Sequence, residues 1–128
     1  MNNDIVELWI LKAKNDLKTG KDEFITEDPA TDTICFHMQQ CVEKYFKAFL
    51  IFNGVEISKT HNLALLLQQC IEIDSEFEKL RNIKADELTL YAVVTRYPDD
   101  FYMPSKEEAE SAIDIAKKVK QFVSKKII

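Results

Sequence analysis

Glycine and proline are scarce in this chain of 128 residues, which contains two glycines and three prolines. Both residues supply the tight turns that join neighbouring β-strands, so a domain built from hairpins is excluded. With 46% hydrophobic residues, the chain can still bury a full core. The composition therefore favours a single all-α domain over residues 1–128.

Cysteine is also scarce, and its spacing suits neither a metal site nor a disulfide framework. The three thiols, Cys35, Cys41 and Cys70, form no Cys-x-x-Cys pair, and each falls on an apolar helical face. An odd number of scattered cysteines is typical of reduced, buried thiols in a protein of the cytoplasm. We therefore expect a cytoplasmic protein with no metal site and no cofactor.

Long apolar runs and an excess of positive charge are missing as well. No stretch of the sequence approaches the roughly 18 apolar residues of a membrane-spanning helix. The apolar part of the N-terminal segment carries charges, so a signal peptide is not expected. The formal net charge is −5, whereas a free-standing nucleic-acid binder is usually basic. We therefore expect no membrane association. Any site for an anion has to be a small cluster of positive charge on a protein that is acidic as a whole.

The chain does contain one long helical pattern between Thr33 and Gly54. Its apolar face is broader than a surface helix needs, which is typical of the central helix of a bundle. On its flank, Glu43 and Lys47 have the i, i+4 spacing of a surface ion pair. The residues predicted for the central face are Ile34, Met38, Cys41, Val42, Tyr45, Ala48, Phe49 and Phe52.

Three further apolar residues of this helix, Phe36, Leu50 and Ile51, fall away from the central face. They require another contact, either with a neighbouring helix or with a second copy of the chain. A homodimer is therefore one expectation, and it is compatible with every function that the sequence suggests.

The first helix is predicted to begin at Asp4, because Asp4 and Glu7 have the spacing of a capping box. Gly20 is expected to end this helix or to weaken it. A polar connector with one proline, residues 26–32, makes the first two helices antiparallel neighbours. The predicted buried face consists of Ile5, Trp9, Ala13 and Leu17, with Leu8 alongside.

Three helical segments follow the central helix. Thr60 is the predicted N-cap of the third helix, and a fourth segment spans residues 77–95 with a break near Ala85. The last helix begins after Ser105, which has Glu108 at capping-box spacing. The predicted architecture is an antiparallel up-and-down bundle of about five helices. The last helix is predicted to bury Ala109, Ala112, Ile113, Ala116, Val119 and Val123.

Several short motifs, taken together and in order, resemble the HEPN domain family. The most specific are Gln-Gln-x-x-Glu-Lys-x-x-Lys from Gln39 and Thr-His-x-Leu from Thr60. The resemblance covers nearly the whole chain. It implies a helical bundle that commonly dimerises and is frequently encoded beside a minimal nucleotidyltransferase, sometimes as a toxin–antitoxin pair. The other motifs are Trp9-x3-Ala13-x2-Asp16-Leu17, Leu88-Thr89-x-Tyr91 and Arg96-Tyr97-Pro98-Asp99.

The resemblance also implies candidate activities. Several branches of the family are metal-independent ribonucleases with an Arg-x4–6-His motif, and nucleotide binding is an older proposal for this branch. Arg96 occupies the arginine position, but the histidine window contains Phe101, Tyr102 and Met103. The sequence therefore departs from the ribonuclease pattern at the histidine, the residue that would take part in proton transfer.

Metal-free RNA cleavage needs a base for the 2′-hydroxyl and a cation for the charge that develops on the phosphate. Arg96 is suited to the second role, and it would be the catalytic residue if the chain were an endoribonuclease. Tyr97 and Tyr102 are poor bases near neutral pH, since an ordinary tyrosine has a pKa of about 10. A missing base costs about 10²- to 10⁴-fold in rate. A non-catalytic role is therefore favoured.

A ligand site is predicted from cations that lie far apart in the chain. They would surround one phosphate-sized anion, helped by the positive N-terminus of the third or the last helix. His61 is expected in the first turn of that third helix. The ligand-binding set is Lys44, Lys47, His61 and Arg96, with Asp16 and Glu43 as the carboxylates that orient the cations.

The four cations of this set, and His37 as well, also have a purely structural interpretation. The two lysines fit a solvated helix flank, and Arg96 fits an ion pair that closes the bundle. His61 fits a residue that is hydrogen-bonded to backbone at a helix start, and His37 fits side-chain packing.

The sequence leaves three functions open. The first is a nucleotide- or RNA-phosphate-binding protein that works with a nucleotidyltransferase. The second is a ribonuclease toxin with a degenerate motif, and the third is a non-catalytic homodimeric interaction module.

Overall fold

The computed structural model describes residues 3–93 and 102–127 of the chain. These residues form six α-helices and two short 3-10 turns, and they contain no strand. The prediction of an all-α bundle is therefore confirmed, with the fourth predicted helix divided into shorter pieces. The α-helices are α1 (Asn3–Phe24), α2 (Thr31–Phe52), α3 (Leu63–Ile73), α4 (Glu78–Asn82), α5 (Leu90–Val93) and α6 (Lys106–Lys126).

The centre of the bundle is α2, which packs against α1, α3, α5 and α6. Its predicted central face is buried apart from Phe52, which is half-buried at the end of the helix. Burial extends well beyond that face, because neighbours cover α2 on most sides. Leu50 is fully buried inside the protomer, so of its two expected contacts it makes the one within the bundle and not the one with a second copy.

The first helix packs on α2 through a face that differs from the prediction by part of a turn. Val6 and Ala13 are buried, whereas Ile5 and Leu8 are 40% and 60% exposed. Asp4 lies inside the first turn, since α1 already begins at Asn3, and the predicted capping box is therefore wrong. The first three turns carry apolar residues on most sides, so their periodicity could not select one face.

Gly20 neither ends nor interrupts α1, which continues to Phe24. The glycine is buried, and a Cβ atom at this position would lie 2.4 Å from Cε of Met38. The absence of a side chain lets α2 approach closely, which is a packing role for a glycine in a helix interior.

The third helix is capped two residues later than predicted. Asn62 is its N-cap, and the side-chain oxygen accepts hydrogen bonds from the amides of Ala64 and Leu65. Thr60 instead accepts a hydrogen bond from the amide of Asn62. The predicted break near Ala85 is confirmed, because Lys84 has a φ of 67° between α4 and the next 3-10 turn.

The last helix follows its prediction closely, and every residue expected on its buried face is buried. Ser105 caps it, since its hydroxyl accepts a hydrogen bond from the amide of Glu108 at 3.0 Å. The carboxylate of Glu108 accepts hydrogen bonds from the hydroxyls of Tyr91 and Tyr102, one on each oxygen. Glu108 therefore links the first turn of α6 to α5 and to the segment that precedes α6.

The three cysteines are free and buried, as predicted. Burial, followed by the charge of Glu108, raises the pKa of Cys35 to about 12. Such a thiol stays protonated at neutral pH and behaves as a core residue. None of the described helices is long and apolar enough to cross a membrane.

Candidate functional site

An aspartate of α1 joins a histidine and a lysine of α2. Asp16 Oδ1 lies 2.8 Å from His37 Nδ1, and Asp16 Oδ2 lies 2.5 Å from Lys44 Nζ. His37 and Lys44 are seven residues apart and therefore lie on the same side of α2. Asp16 is only 8% exposed, because it lies beside the buried face of α1. We call these three residues the Asp16 cluster.

A second carboxylate, on α2 itself, has the same kind of partners. Glu43 Oε2 lies 3.0 Å from Lys47 Nζ, and Glu43 Oε1 lies 2.8 Å from His61 Nδ1. Glu43 Oε1 also accepts a hydrogen bond of 2.9 Å from Gln39 Nε2. Gln39 and Lys47 are one turn before and one turn after Glu43, and His61 comes from the loop before α3. We call these four residues the Glu43 cluster.

The pair of Glu43 and Lys47 was expected at the surface, but it is buried. The two side chains are 5% and 6% exposed, and Lys47 Nζ also lies 5.7 Å from the centre of the Trp9 ring. Removing two charges from water is costly unless further hydrogen bonds compensate. His61 and Gln39 supply those bonds to Glu43, and the Trp9 ring attracts the ammonium group.

Glu43 carries its negative charge at neutral pH. Burial alone would raise its pKa, but hydrogen bonds from His61, Lys47 and Gln39 outweigh burial and lower the pKa below its ordinary value of 4.5. An ionised carboxylate only accepts hydrogen bonds, so His61 Nδ1 has to be the donor. The Glu43 cluster therefore fixes both the orientation of the imidazole and the nitrogen that carries its proton.

An open groove of about 400 Å³ lies beside the two clusters. Its lining combines apolar residues of α1 with Lys44, which belongs to the Asp16 cluster. Trp9 lines the groove and also contacts Lys47 of the Glu43 cluster. Trp9 therefore connects the groove with the Glu43 cluster, and Lys44 connects it with the Asp16 cluster. The lining residues are Ile5, Leu8, Trp9, Lys12 and Lys44.

The N-terminus of α3 does not offer free amides to an anion, so its expected contribution is wrong. The amide of Leu63 donates to the hydroxyl of Thr89, and the next two amides donate to the side chain of Asn62. The amide of Leu66 donates to the carbonyl of Asn62. His61 precedes the cap and is not in the first turn. The first turn of α6 carries Glu107 and Glu108, which oppose an anion there.

The predicted ligand set is thus distributed over two clusters. Lys47 and His61 meet at Glu43, Lys44 meets Asp16, and Arg96 lies outside the described residues. Its role, and a common anion site for all four cations, stay predictions.

Sequence reasoning missed three participants in this region. The sequence contained a signal for Gln39, because this residue stands four positions before Glu43 on the same helix face. The signal for His37 was weaker and consisted only of its spacing of seven from Lys44. Trp9 was assigned to the core, and nothing in the sequence indicated its contact with Lys47.

Taken together, the described helices and clusters define a small all-α protein with histidine–carboxylate–lysine clusters around its central helix. The family model described as HEPN domain matches residues 6–127. The chain therefore belongs to the HEPN domain family.

Its relatives agree with this assignment. The chain is 32% identical to "Putative toxin MJ1304" of Methanocaldococcus jannaschii, over 95% of this chain and 88% of that protein. The crystal structure of TT1696 from Thermus thermophilus is similar with a TM-score of 0.83 and 27% identity, over 98% of this chain and 99% of that one. ST0689, described as an archaeal HEPN homologue, is similar with a TM-score of 0.69 and 26% identity, over 96% and 98%.

Proposed function

We propose that this HEPN protein binds the phosphate of a nucleotide or RNA and works with a minimal nucleotidyltransferase in a toxin–antitoxin-like pair. Family membership and the name of the Methanocaldococcus jannaschii relative support the toxin-like setting. The observation that carries the binding part is a groove lined by Trp9, Lys12 and Lys44, with the ammonium group of Lys47 behind it against the Trp9 ring.

The chemistry of the groove fits a nucleotide better than a simple anion. An indole ring offers a stacking face to a base, and lysines at the same wall offer positive charge to a phosphate. Lys12 and Lys44 are the groove lysines, and Asp16 orients the second of them. With a net charge of −5 the chain as a whole does not favour nucleic-acid binding, so the proposed site is a local one.

Isothermal titration with ATP and with a short single-stranded RNA tests the binding proposal. We expect saturable binding to the wild type and about tenfold weaker binding to Lys44→Ala, since a charge-assisted contact is lost. Lys18→Ala is the matched control, because Lys18 also pairs with a carboxylate but lies exposed on α1. No binding at millimolar ligand, with or without the partner, ends the proposal. Equal weakening by both substitutions contradicts the assigned site.

Full ribonuclease activity is not part of this proposal, because the histidine window after Arg96 contains none. The alternative of a degenerate ribonuclease toxin is tested by over-expression in bacteria with Arg96→Ala as the control. Growth arrest and RNA cleavage that disappear with the substitution favour the enzyme. Growth that is unaffected by the wild type contradicts it.

The homodimer also belongs to the proposal. Leu8 and Leu11 of α1 are 60% and 52% exposed, and Ile5 extends this apolar stripe by one turn. A second copy that covers the stripe would place the groove at the junction of the two protomers. Light scattering tests this point, with a dimer expected and a monomer at working concentration contradicting it. A stable dimer that binds no ligand would favour the interaction module.

A further inference from the structure

One of the two lysines that line the groove is already paired with a carboxylate. Lys44 Nζ lies 2.5 Å from Asp16 Oδ2, so a phosphate in the groove has to compete with Asp16 for this ammonium group. Asp16 is itself shared, because its other oxygen lies 2.8 Å from His37 Nδ1. Direct contacts therefore lead from His37 through Asp16 and Lys44 to the groove.

Protonation of His37 changes the net charge of the Asp16 cluster. A carboxylate only accepts hydrogen bonds, so Nδ1 of the ring carries a proton in both forms and the second proton is taken up at Nε2. While the imidazole is neutral, the charges of Asp16 and Lys44 cancel. Once it is an imidazolium, the cluster has one net positive charge, and it attracts an anion in the groove more strongly.

The burial of the cluster favours a measurable effect. The side chains of His37, Asp16 and Lys44 are 28%, 11% and 21% exposed. Charges that are partly withdrawn from water interact more strongly, and salt screens them less, than charges on an open surface. The imidazolium also competes with the ammonium group for the same carboxylate, which weakens the hold of Asp16 on Lys44.

The other groups around the cluster give no competing change of charge. Cys41 follows His37 by one turn of α2, and burial raises the pKa of its thiol, so it stays neutral. The charge of Lys120 reaches Cys41 from α6, and the Phe36 ring that meets His37 is uncharged. Among the described residues, no ion pair or hydrogen bond joins the His37 side chain to α3, α5 or α6. Of these residue types, only histidine ordinarily changes its charge between about pH 5 and about pH 8.

We propose that His37 regulates the groove by protonation: as the pH falls, the imidazolium engages Asp16 and makes Lys44 available to a bound phosphodiester. This inference rests on the phosphate binding proposed above. The affinity for a phosphodiester should therefore fall as the pH rises through the range in which a histidine loses its charge. The expected change is about fivefold, at the lower end of the usual range for two coupled sites.

Isothermal titration tests this with a short RNA of adenosine and uridine that has hydroxyl groups at both ends. Its phosphodiesters keep their charge where histidine titrates, so a change of affinity belongs to the protein. We expect the wild type to bind about fivefold more weakly at about pH 8 than at about pH 5, the limits of the usual histidine range. His37→Gln should bind equally at both, because its amide can still donate to Asp16 but gains no proton.

His61→Gln is the matched control, since His37 and His61 are the two histidines of the chain. His61 pairs with Glu43 and not with the carboxylate that holds Lys44. This variant should therefore keep the fivefold dependence on pH. His37→Gln also separates the histidine from the α-amino group, which titrates in the same range and is still present in the variant.

NMR of the wild type provides a readout that a merely structural effect of the substitution would not produce. Coupling between two sites is reciprocal, so a bound phosphodiester should favour the charged form of His37 by the same factor. Saturating RNA should therefore raise the midpoint of the His37 titration by about 0.7 of a pH unit, which is fivefold on a logarithmic scale. A midpoint that stays in place contradicts the inference.

The outcomes of the binding titration separate this inference from the proposed function. Saturable binding of equal affinity at both pH values overturns the role of His37 and leaves phosphate binding intact. A pH dependence that persists in His37→Gln, or that disappears equally in both histidine variants, also overturns the role of His37. The absence of saturable binding at both pH values overturns the proposed function, and the inference with it.

Discussion

At the scale of single residues, the polar groups that α2 buries differ in whether they have hydrogen-bond partners. Glu43 has three hydrogen-bond partners, whereas the hydroxyl of Tyr45 is buried and finds no partner within the described parts of the chain. Burial raises the pKa of that hydroxyl, so it stays protonated. A buried polar atom without a partner costs about 1–3 kcal/mol. The helix therefore contains both a well-supported charge and a destabilising hydroxyl.

Tyr45→Phe should raise the free energy of unfolding by about 1 kcal/mol, because it removes the unpaired hydroxyl and keeps the ring. Urea unfolding followed by circular dichroism measures the change. A loss of stability of similar size would mean that the hydroxyl is bound, and it would contradict the expectation.

Lys47→Met should lower the free energy of unfolding by about 3 kcal/mol. The substitution leaves Glu43 buried without its ammonium partner, and such a group is costly. Lys18→Ala, at an exposed ion pair on α1, is the control and should have no measurable effect. A similar effect of both substitutions would contradict the buried position of Lys47.

Glu43 also predicts a pH dependence of stability. Its pKa is lowered in the folded state, so the unfolded chain binds the proton first as the pH falls. The stabilisation is therefore complete above the ordinary pKa of 4.5 and disappears below it, as the pH falls through the folded pKa. Glu43→Gln imitates the protonated residue. Urea unfolding of both proteins should give a large difference at neutral pH that shrinks as the pH falls below 4.5. A difference that does not change with pH would contradict this assignment.

At the scale of elements, the clearest sequence signals were those that needed no tertiary partner. The α6 pattern is apolar on one side only, so its buried face and its Ser105 cap could be predicted. Before α3, Thr60 and Asn62 can both cap a helix, and the sequence could not choose between them. In the folded chain, Thr89 binds the amide of Leu63, and this distant contact fixes the helix start after Asn62.

Ser105→Ala should lower the free energy of unfolding by about 1 kcal/mol, the usual cost of losing an N-cap side chain. Ser111→Ala removes the same hydroxyl from an exposed interior position of α6 and should have almost no effect. Thermal unfolding compares the two variants directly. Equal stability of both variants would mean that the cap contributes nothing.

At the scale of the whole molecule, the candidate site could be predicted only as a list of residue types. Lys44, Lys47 and His61 were predicted as cations of one site, but the partners of Lys44 and His61 are distant in the chain. Lys44 and Asp16 are 28 positions apart, and His61 and Glu43 are 18 apart. Such pairings depend on how the helices cross and on how a loop returns to α2. The sequence therefore suggested one pocket of cations. In the fold, Lys44 pairs with Asp16, whereas Lys47 and His61 pair with Glu43.

The central claim is that a nucleotide or RNA phosphate binds in the groove beside Trp9, Lys12 and Lys44. A titration of the labelled full-length protein with a short RNA, followed by amide and side-chain NMR, tests it most directly. We predict saturable shifts at the Trp9 indole N–H, at His61 and at the side chains of Lys44 and Lys47. No shifts at millimolar RNA, or shifts confined to the face of α6 away from α2, would contradict the claim.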